Sequence, residues 1–223
     1  MKKVKESIVE GKSIFIGLED SKRMWKLCVR CDGMIIHETS MPTDYEALLR
    51  YLQHRYPGCK VSVMYETGFQ GFWLYDFLKR SGFDCVVTPA HTLVEEKNNK
   101  VKTDKRDARR LALNLEKGDY KVCAVPDSEQ REDRQFSRTL QQTQKDITRT
   151  LVRIRMMMSF HGIRFFLEKK AWTWKEYQSL LEQPMPAQVK TCLEVLMRRM
   201  EQLRGDRDFL KKQLKEICKK ERC

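Results

Sequence analysis

No stretch of this chain stays apolar for the roughly 20 residues that a bilayer span requires, so nothing in it reads as membrane-embedded. Lys2, Lys3 and Lys5 are followed by no apolar run of useful length, which argues against a secretory signal. The expected compartment is therefore the reducing cytoplasm, where the eight cysteines stay free thiols. Cys28 and Cys31 form a C-x-x-C without a second pair, and zinc would need that pair or suitably spaced histidines. Cys28 falls in a strand pattern and reads as core. Acidic charge is also short. Against 44 Lys and Arg stand 31 Asp and Glu, a net charge of +13, and a negatively charged partner is the natural implication. The competing implication is a merely soluble basic protein.

What is present begins with charge that is unevenly spread. Residues 1–101 carry 15 Lys/Arg against 13 Asp/Glu, residues 102–160 carry 14 against 9, and residues 161–223 carry 15 against 9. A nearly neutral folded front followed by basic helices is the expectation. Lys12–Leu18 and Trp25–Arg30 read as strands, Asp32-Gly33 as a hairpin turn, and Met34–His37 as a third strand. Tyr45, Leu48, Leu49 and Leu52 then recur three or four apart. That predicts a helix within 42–56, capped by Thr43 with Glu46 completing a capping box. Val61–Tyr65 and Cys85–Thr88 are strands, and 72–80 and 104–117 are helices. Val122–Val125 is a candidate short strand. Strands separated by helices imply a partly parallel sheet, and the opening meander makes it mixed. The expected fold class is α/β, a mixed sheet with flanking helices over residues 1–128, followed by a basic helical and coiled-coil region over 129–223.

In that second region, 131–160 reads as a long basic helix carrying Arg149, Arg153 and Arg155. From Val189, the positions Leu193, Leu196, Met200, Leu203, Leu210, Leu214 and Ile217 keep a four-three rhythm. Such a seam folds back on the 131–160 helix or pairs with a second copy of the chain, so a homo-oligomer is expected.

The acids carry the chemistry. Glu19 ends the first strand and Glu66 ends the central one, and carboxylates at the carboxyl ends of neighbouring parallel strands meet over one crevice. Asp104 and Asp107 stand three apart at a helix start and share a face. Four converging acids repel unless a cation sits among them, and hard divalent cations want such oxygen ligands. Mg²⁺ or Mn²⁺ is the expected cofactor. Each acid also has a plainer reading. Glu19 can be a solvated strand end, Glu66 a helix cap, Asp104 an N-cap and Asp107 a first-turn residue. Lys102, Lys105, Arg106, Arg109 and Arg110 surround the acids and suit a phosphate backbone; a solvated charged helix is the alternative.

These residues resemble a known family. Phe15-Ile16-Gly17-Leu18-Glu19-Asp20-Ser21-Lys22, Trp25-Lys26-Leu27-Cys28-Val29, Tyr65-Glu66-Thr67-Gly68 and Val87-Thr88-Pro89-Ala90 are similar to motifs of the DEDD-type transposases of IS110 insertion sequences. So is the run Lys102-Thr103-Asp104-Lys105-Arg106-Asp107-Ala108-Arg109-Arg110-Leu111-Ala112. The resemblance implies a RuvC-like, ribonuclease-H-like domain with Glu19, Glu66, Asp104 and Asp107 as catalytic metal ligands. It implies metal-dependent DNA cleavage and rejoining in transposition, and a structured bridge RNA as guide. The family usually has Asp where this chain has Glu19. Asp20 is the competing ligand, although strand alternation aims it the other way. The family's carboxyl-terminal domain supplies a serine nucleophile. Nothing of that kind follows Ile217, so a truncated, split or solo form is expected, with that domain possible as a separately encoded partner. A non-catalytic nucleic-acid-binding remnant and a Holliday-junction resolvase-like nuclease are the competing functions.

Overall fold

The computed structural model describes residues 9–68, 70–90, 103–163 and 173–220. The chain forms two compact units, Met1–Val125 and Pro126–Cys223, each with its own core.

In the first unit, β1 (Ser13–Glu19), β2 (Met24–Cys31), β3 (Met34–Pro42), β4 (Lys60–Glu66) and β5 (Asp84–Thr88) make one sheet in the order β3-β2-β1-β4-β5. β1–β2 and β2–β3 are antiparallel, whereas β1–β4 and β4–β5 are parallel. The connections dictate this mixture, because tight turns join antiparallel strands and helical crossovers join parallel ones. Asp32 and Gly33 both adopt positive φ, 50° and 79°, as the two-residue turn between β2 and β3 requires. β3 runs on to Pro42, past the expected end at His37. Its later residues Glu38, Thr39 and Ser40 are polar, which hides the strand, yet all pair along β2.

Both faces of the sheet are covered. On one face, Ile14, Ile16 and Leu18 of β1 pack with Leu48 and Leu52 of α1 (Tyr45–Arg55) and Leu74 and Leu78 of α2 (Trp73–Arg80). On the other lies α3 (Asp104–Lys117), through Ala108, Leu111, Ala112 and Leu115. α3 comes so close that a Cβ on Gly17 would lie 2.1 Å from the Ala108 carbonyl oxygen and 2.3 Å from the Ala112 nitrogen. Glycine at position 17 is what lets helix and strand touch. Cys28 packs with Ala108 and Ala112, whereas Cys31 belongs to the core on the opposite face, so this C-x-x-C does not offer one metal two thiolates. Burial pushes the Cys28 thiol up to about 11.

Two local expectations are corrected. The cap of α1 is Asp44, which accepts from the Glu46 and Ala47 amides, while the Thr43 hydroxyl donates to the Ser21 carbonyl at 3.0 Å. With the helix starting one residue later, Glu46 is too close to the cap to close a capping box. No strand forms at 122–125. The Cys123 amide donates to the Val87 carbonyl of β5 at 2.7 Å, and Val122 is exposed.

In the second unit, Asp127 caps α4 (Ser128–Phe160) by accepting from the Gln130 amide. Thr173 and Glu176 form a reciprocal capping box on α5 (Trp174–Gln178), a 3-10 turn follows at Ser179–Glu182, and α6 covers Ala187–Lys220. Ile154 and Met158 near the end of α4 share one core with Val189, Leu193 and Met197 near the start of α6. That is the fold-back arrangement of an antiparallel hairpin. Tyr177 and Leu180 add a third wall there, so Leu193 and Met200 of the seam are buried at this end, with Leu196 partly buried. Farther along, Leu203, Leu210, Leu214 and Ile217 are only half-buried, because two helices alone cover one stripe of each other.

Candidate metal and nucleic-acid site

β1 and β4 run parallel in a register that pairs Gly17 with Met64, so Glu19 and Glu66 end neighbouring strands at the same level. Both stand on the face that carries α3, two residues beyond Gly17 and Met64 respectively. α3 begins over this edge. Its cap residue is Thr103, so Asp104 is the first helical residue rather than the cap, and it is exposed. Asp107 lies one turn on and is buried.

Glu66 and Asp107 are joined by a cation from their own chain. An Arg110 guanidinium nitrogen donates to Glu66 Oε1 at 2.8 Å and lies 3.4 Å from Asp107 Oδ1. The three side chains are 17%, 9% and 18% exposed, so the bridge is well shielded from water. Among the described residues no three His, Cys, Asp or Glu side chains come together as a metal-holding group. The fold therefore brings Glu66 and Asp107 together through Arg110, puts Glu19 on the same edge and face, and leaves Asp104 at the solvent-exposed start of the helix.

Asp20 has a different setting. Its Oδ1 accepts from the Trp25 indole N–H at 3.0 Å, and Trp25 is wholly buried in the core on the α1–α2 face. Its other carboxylate oxygen is buried with no protein partner. Burial pushes the Asp20 carboxyl up to about 6, against a smaller opposing effect of the indole hydrogen bond.

The basic residues divide by what they touch. Arg109 forms a two-pronged pair with Glu38 of β3 at 2.6 and 2.8 Å, and Lys105 joins it at 3.2 Å. These cations, Arg109 first, hold the Glu38 carboxyl down near about 2. At the far end of α3, Glu116 pairs with Arg30 at 2.6 Å and accepts from the Gly33 amide at 2.8 Å. Together the two clamps lash α3 to the β2–β3 hairpin. Neither Glu38 nor Glu116 stands out in the sequence, since their partners lie 71 and 86 residues away. Arg106 is exposed, and Lys102 falls outside the described residues. In the second unit Arg149 and Arg153 are exposed, Arg149 pairing with Asp146 on the same helix, and Arg155 donates to the Tyr177 hydroxyl at 3.0 Å.

The y4qE protein of Sinorhizobium fredii is 31% identical over 127 residues, which cover 55% of this chain and 31% of that protein. The transposase for insertion sequence element IS1533 of Leptospira borgpetersenii is 27% identical over 122 residues, 54% of this chain and 35% of that protein. The y4rJ protein of Sinorhizobium fredii is 27% identical over 169 residues, 68% of this chain and 43% of that protein. The chain thus spans about a third to two fifths of the length of these curated relatives. A RuvC structure from Thermus thermophilus aligns with 49% of this chain and 99% of its own, at a TM-score of 0.36 and 11% identity. The mixed sheet in the order β3-β2-β1-β4-β5, with helices on both faces, agrees with the RuvC-like, ribonuclease-H-like fold expected from the sequence. The family model described as transposase, that of the DEDD transposases of IS110 elements, matches residues 16–162, from β1 to the end of α4. With more than half of its length matched across the sheet, the acidic helix and the first long helix, this chain belongs to the IS110-type DEDD transposase family.

Proposed function

We propose that the sheet unit is the metal-dependent DNA strand-cleaving module of an insertion-element transposase, with Glu19, Glu66, Asp104 and Asp107 as its carboxylate ligands. The observation that carries this reading is the common edge. Glu19 and Glu66 end adjacent parallel strands in register, and Asp107 meets Glu66 there across a shared cation. The donor set fits a hard divalent cation, because every candidate ligand is a carboxylate oxygen. Bound Mg²⁺ or Mn²⁺ would supply Lewis acidity and an activated water for phosphodiester cleavage. The chain's own contribution is position: Gly17 admits α3 to the sheet, and the Glu38 and Glu116 clamps hold its acidic start over the strand ends. DNA as substrate and a structured guide RNA as specifying partner come from the family relationship. Pairing with a second copy through the helical unit, and with a separately encoded carboxyl-terminal domain, belongs to the same proposal.

Isothermal titration with Mn²⁺ on the full chain, with a short DNA duplex present, tests the metal site. Wild type should bind saturably, Glu66→Gln and Asp107→Asn about tenfold or more weakly, and Asp20→Asn like wild type. If Asp20→Asn loses binding while Glu19→Gln keeps it, Asp20 is the first ligand. No saturable binding by wild type would leave a nucleic-acid-binding module without a metal centre and overturn the reading.

A further inference from the structure

Arg110 is the feature that the metal reading does not absorb. It sits one helical turn past Asp107 and places its guanidinium on both Glu66 and Asp107, at 2.8 and 3.4 Å. Its charge occupies the position where a divalent ion ligated by the same two carboxylates would have to act. A guanidinium and a divalent ion cannot share that pair cheaply. Both are positive, and at such short range and low exposure their repulsion is poorly screened. The neighbouring cations Lys105 and Arg109 are engaged with Glu38.

We infer that Arg110 is a resident counter-cation of the acidic site, which metal must displace, and that a nucleic-acid phosphate is the group that draws it away. This rests on the metal reading of the same carboxylates. The chemistry favours the exchange. Guanidinium pairs as well in two-pronged fashion with a phosphate as with a carboxylate. A phosphodiester arriving at the strand ends would accept the fork, and Glu66 and Asp107 would be released together for the metal. Metal and nucleic acid then bind with positive coupling, and that coupling is reciprocal. Without nucleic acid, the carboxylates stay neutralised and metal binds weakly. The arrangement confines metal loading to the nucleic-acid complex.

The test measures Mn²⁺ binding by titration calorimetry on the full chain, with and without a short DNA duplex, for wild type, Arg110→Gln and Arg110→Lys. Glutamine keeps much of the length and loses the charge. Lysine keeps the charge and loses the planar fork. Wild type should bind Mn²⁺ about tenfold more tightly with DNA than without, within the usual range of coupling between two sites. Arg110→Gln should bind Mn²⁺ without DNA about as well as wild type does with it, and DNA should add little. Arg110→Lys should fall between the two. Adding Glu66→Gln to the Arg110→Gln chain should abolish the gain, which locates it at this pair. Equal Mn²⁺ affinity for wild type and Arg110→Gln would overturn the inference while leaving the metal site standing. Weaker binding by Arg110→Gln would also overturn it, showing that the arginine positions the carboxylates and does not compete for them. If no variant binds Mn²⁺ with or without DNA, the metal reading itself fails and the inference falls with it. Should Arg110→Gln fail to fold in a thermal melt, the Arg110→Lys chain carries the comparison, and an affinity and DNA response equal to wild type would count against the inference.

Discussion

Glu38 sits mid-strand on β3 and would pass for an ordinary surface acid, yet it holds two of the cations that flank the acidic edge. Arg109 and then Lys105 keep its carboxyl near about 2, below its ordinary 4.5. A group depressed in the folded state contributes stability above its unfolded value and loses it as pH falls. The window here runs from about pH 4.5 down to about 2. Glu38→Gln should therefore lower stability at pH 7 by about 1 kcal/mol, a figure already reduced for the solvent screening of its partly exposed partners. The same substitution should flatten the acid-side loss of stability in that window. Denaturant melts of both chains at pH 7 and pH 3 check this. A difference between the chains that is the same at both pH values would mean that the pair does not act through ionisation.

At the scale of elements, one close approach and two charged clamps place α3, and one seam builds the helical unit. α3 is set by its close approach to Gly17 and by the charged clamps on either side of it. The hairpin of α4 and α6 depends on a stripe in which Leu193 is fully buried and Leu203 half-buried. The heptad rhythm has both on one seam, with Leu196 between them. In the fold Met200 of that seam is buried, whereas Met197, outside the seam, is buried and Leu196 only partly so. Leu193→Asp should cost about 3 kcal/mol or more, since it removes a buried side chain and leaves a charge without a partner. Leu203→Asp should cost clearly less. Circular dichroism melts of the full chain distinguish them. Equal effects would mean that the hairpin is not packed as described. Light scattering on the same two chains reports whether the half-buried end of α6 also pairs with a second copy.

For the whole molecule, the count of 44 Lys and Arg overstates the cations available to a nucleic acid. Lys105, Arg109 and Arg110 are paired with acids of the sheet unit, and Arg155 binds a tyrosine hydroxyl. Arg153 is exposed, and Arg149 is exposed and pairs with Asp146 on its own helix, a pair that water screens. Replacing Arg149 and Arg153 by Gln should reduce the slope of log affinity for DNA against log salt by about 2, because each phosphate that a cation neutralises contributes nearly one unit. Fluorescence anisotropy over a salt series measures this slope. An unchanged slope would make these arginines a solvated face.

The sequence alone determined the order of strands and helices, the mixed sheet, the limits of α3 and the four candidate acids. Those signals are local: alternation, three-four spacing, a turn pair such as Asp32-Gly33, and motifs read in one run of chain. Strand alternation already separated Glu19 from Asp20, and the fold ties Asp20 to Trp25 on the other face. Missing from the sequence was anything set by partners far along the chain. The cap of α1 moved by one residue because Thr43 is drawn to Ser21. β3 ran past its polar residues because pairing with β2, not hydrophobicity, sustains an edge strand. Glu38 and Glu116 acquire meaning only when α3 lies across the hairpin. Arg110 reads in sequence as one more cation for a phosphate backbone. Only tertiary structure places its guanidinium between Glu66 and Asp107, because a charge takes the nearest shielded partner that the fold supplies.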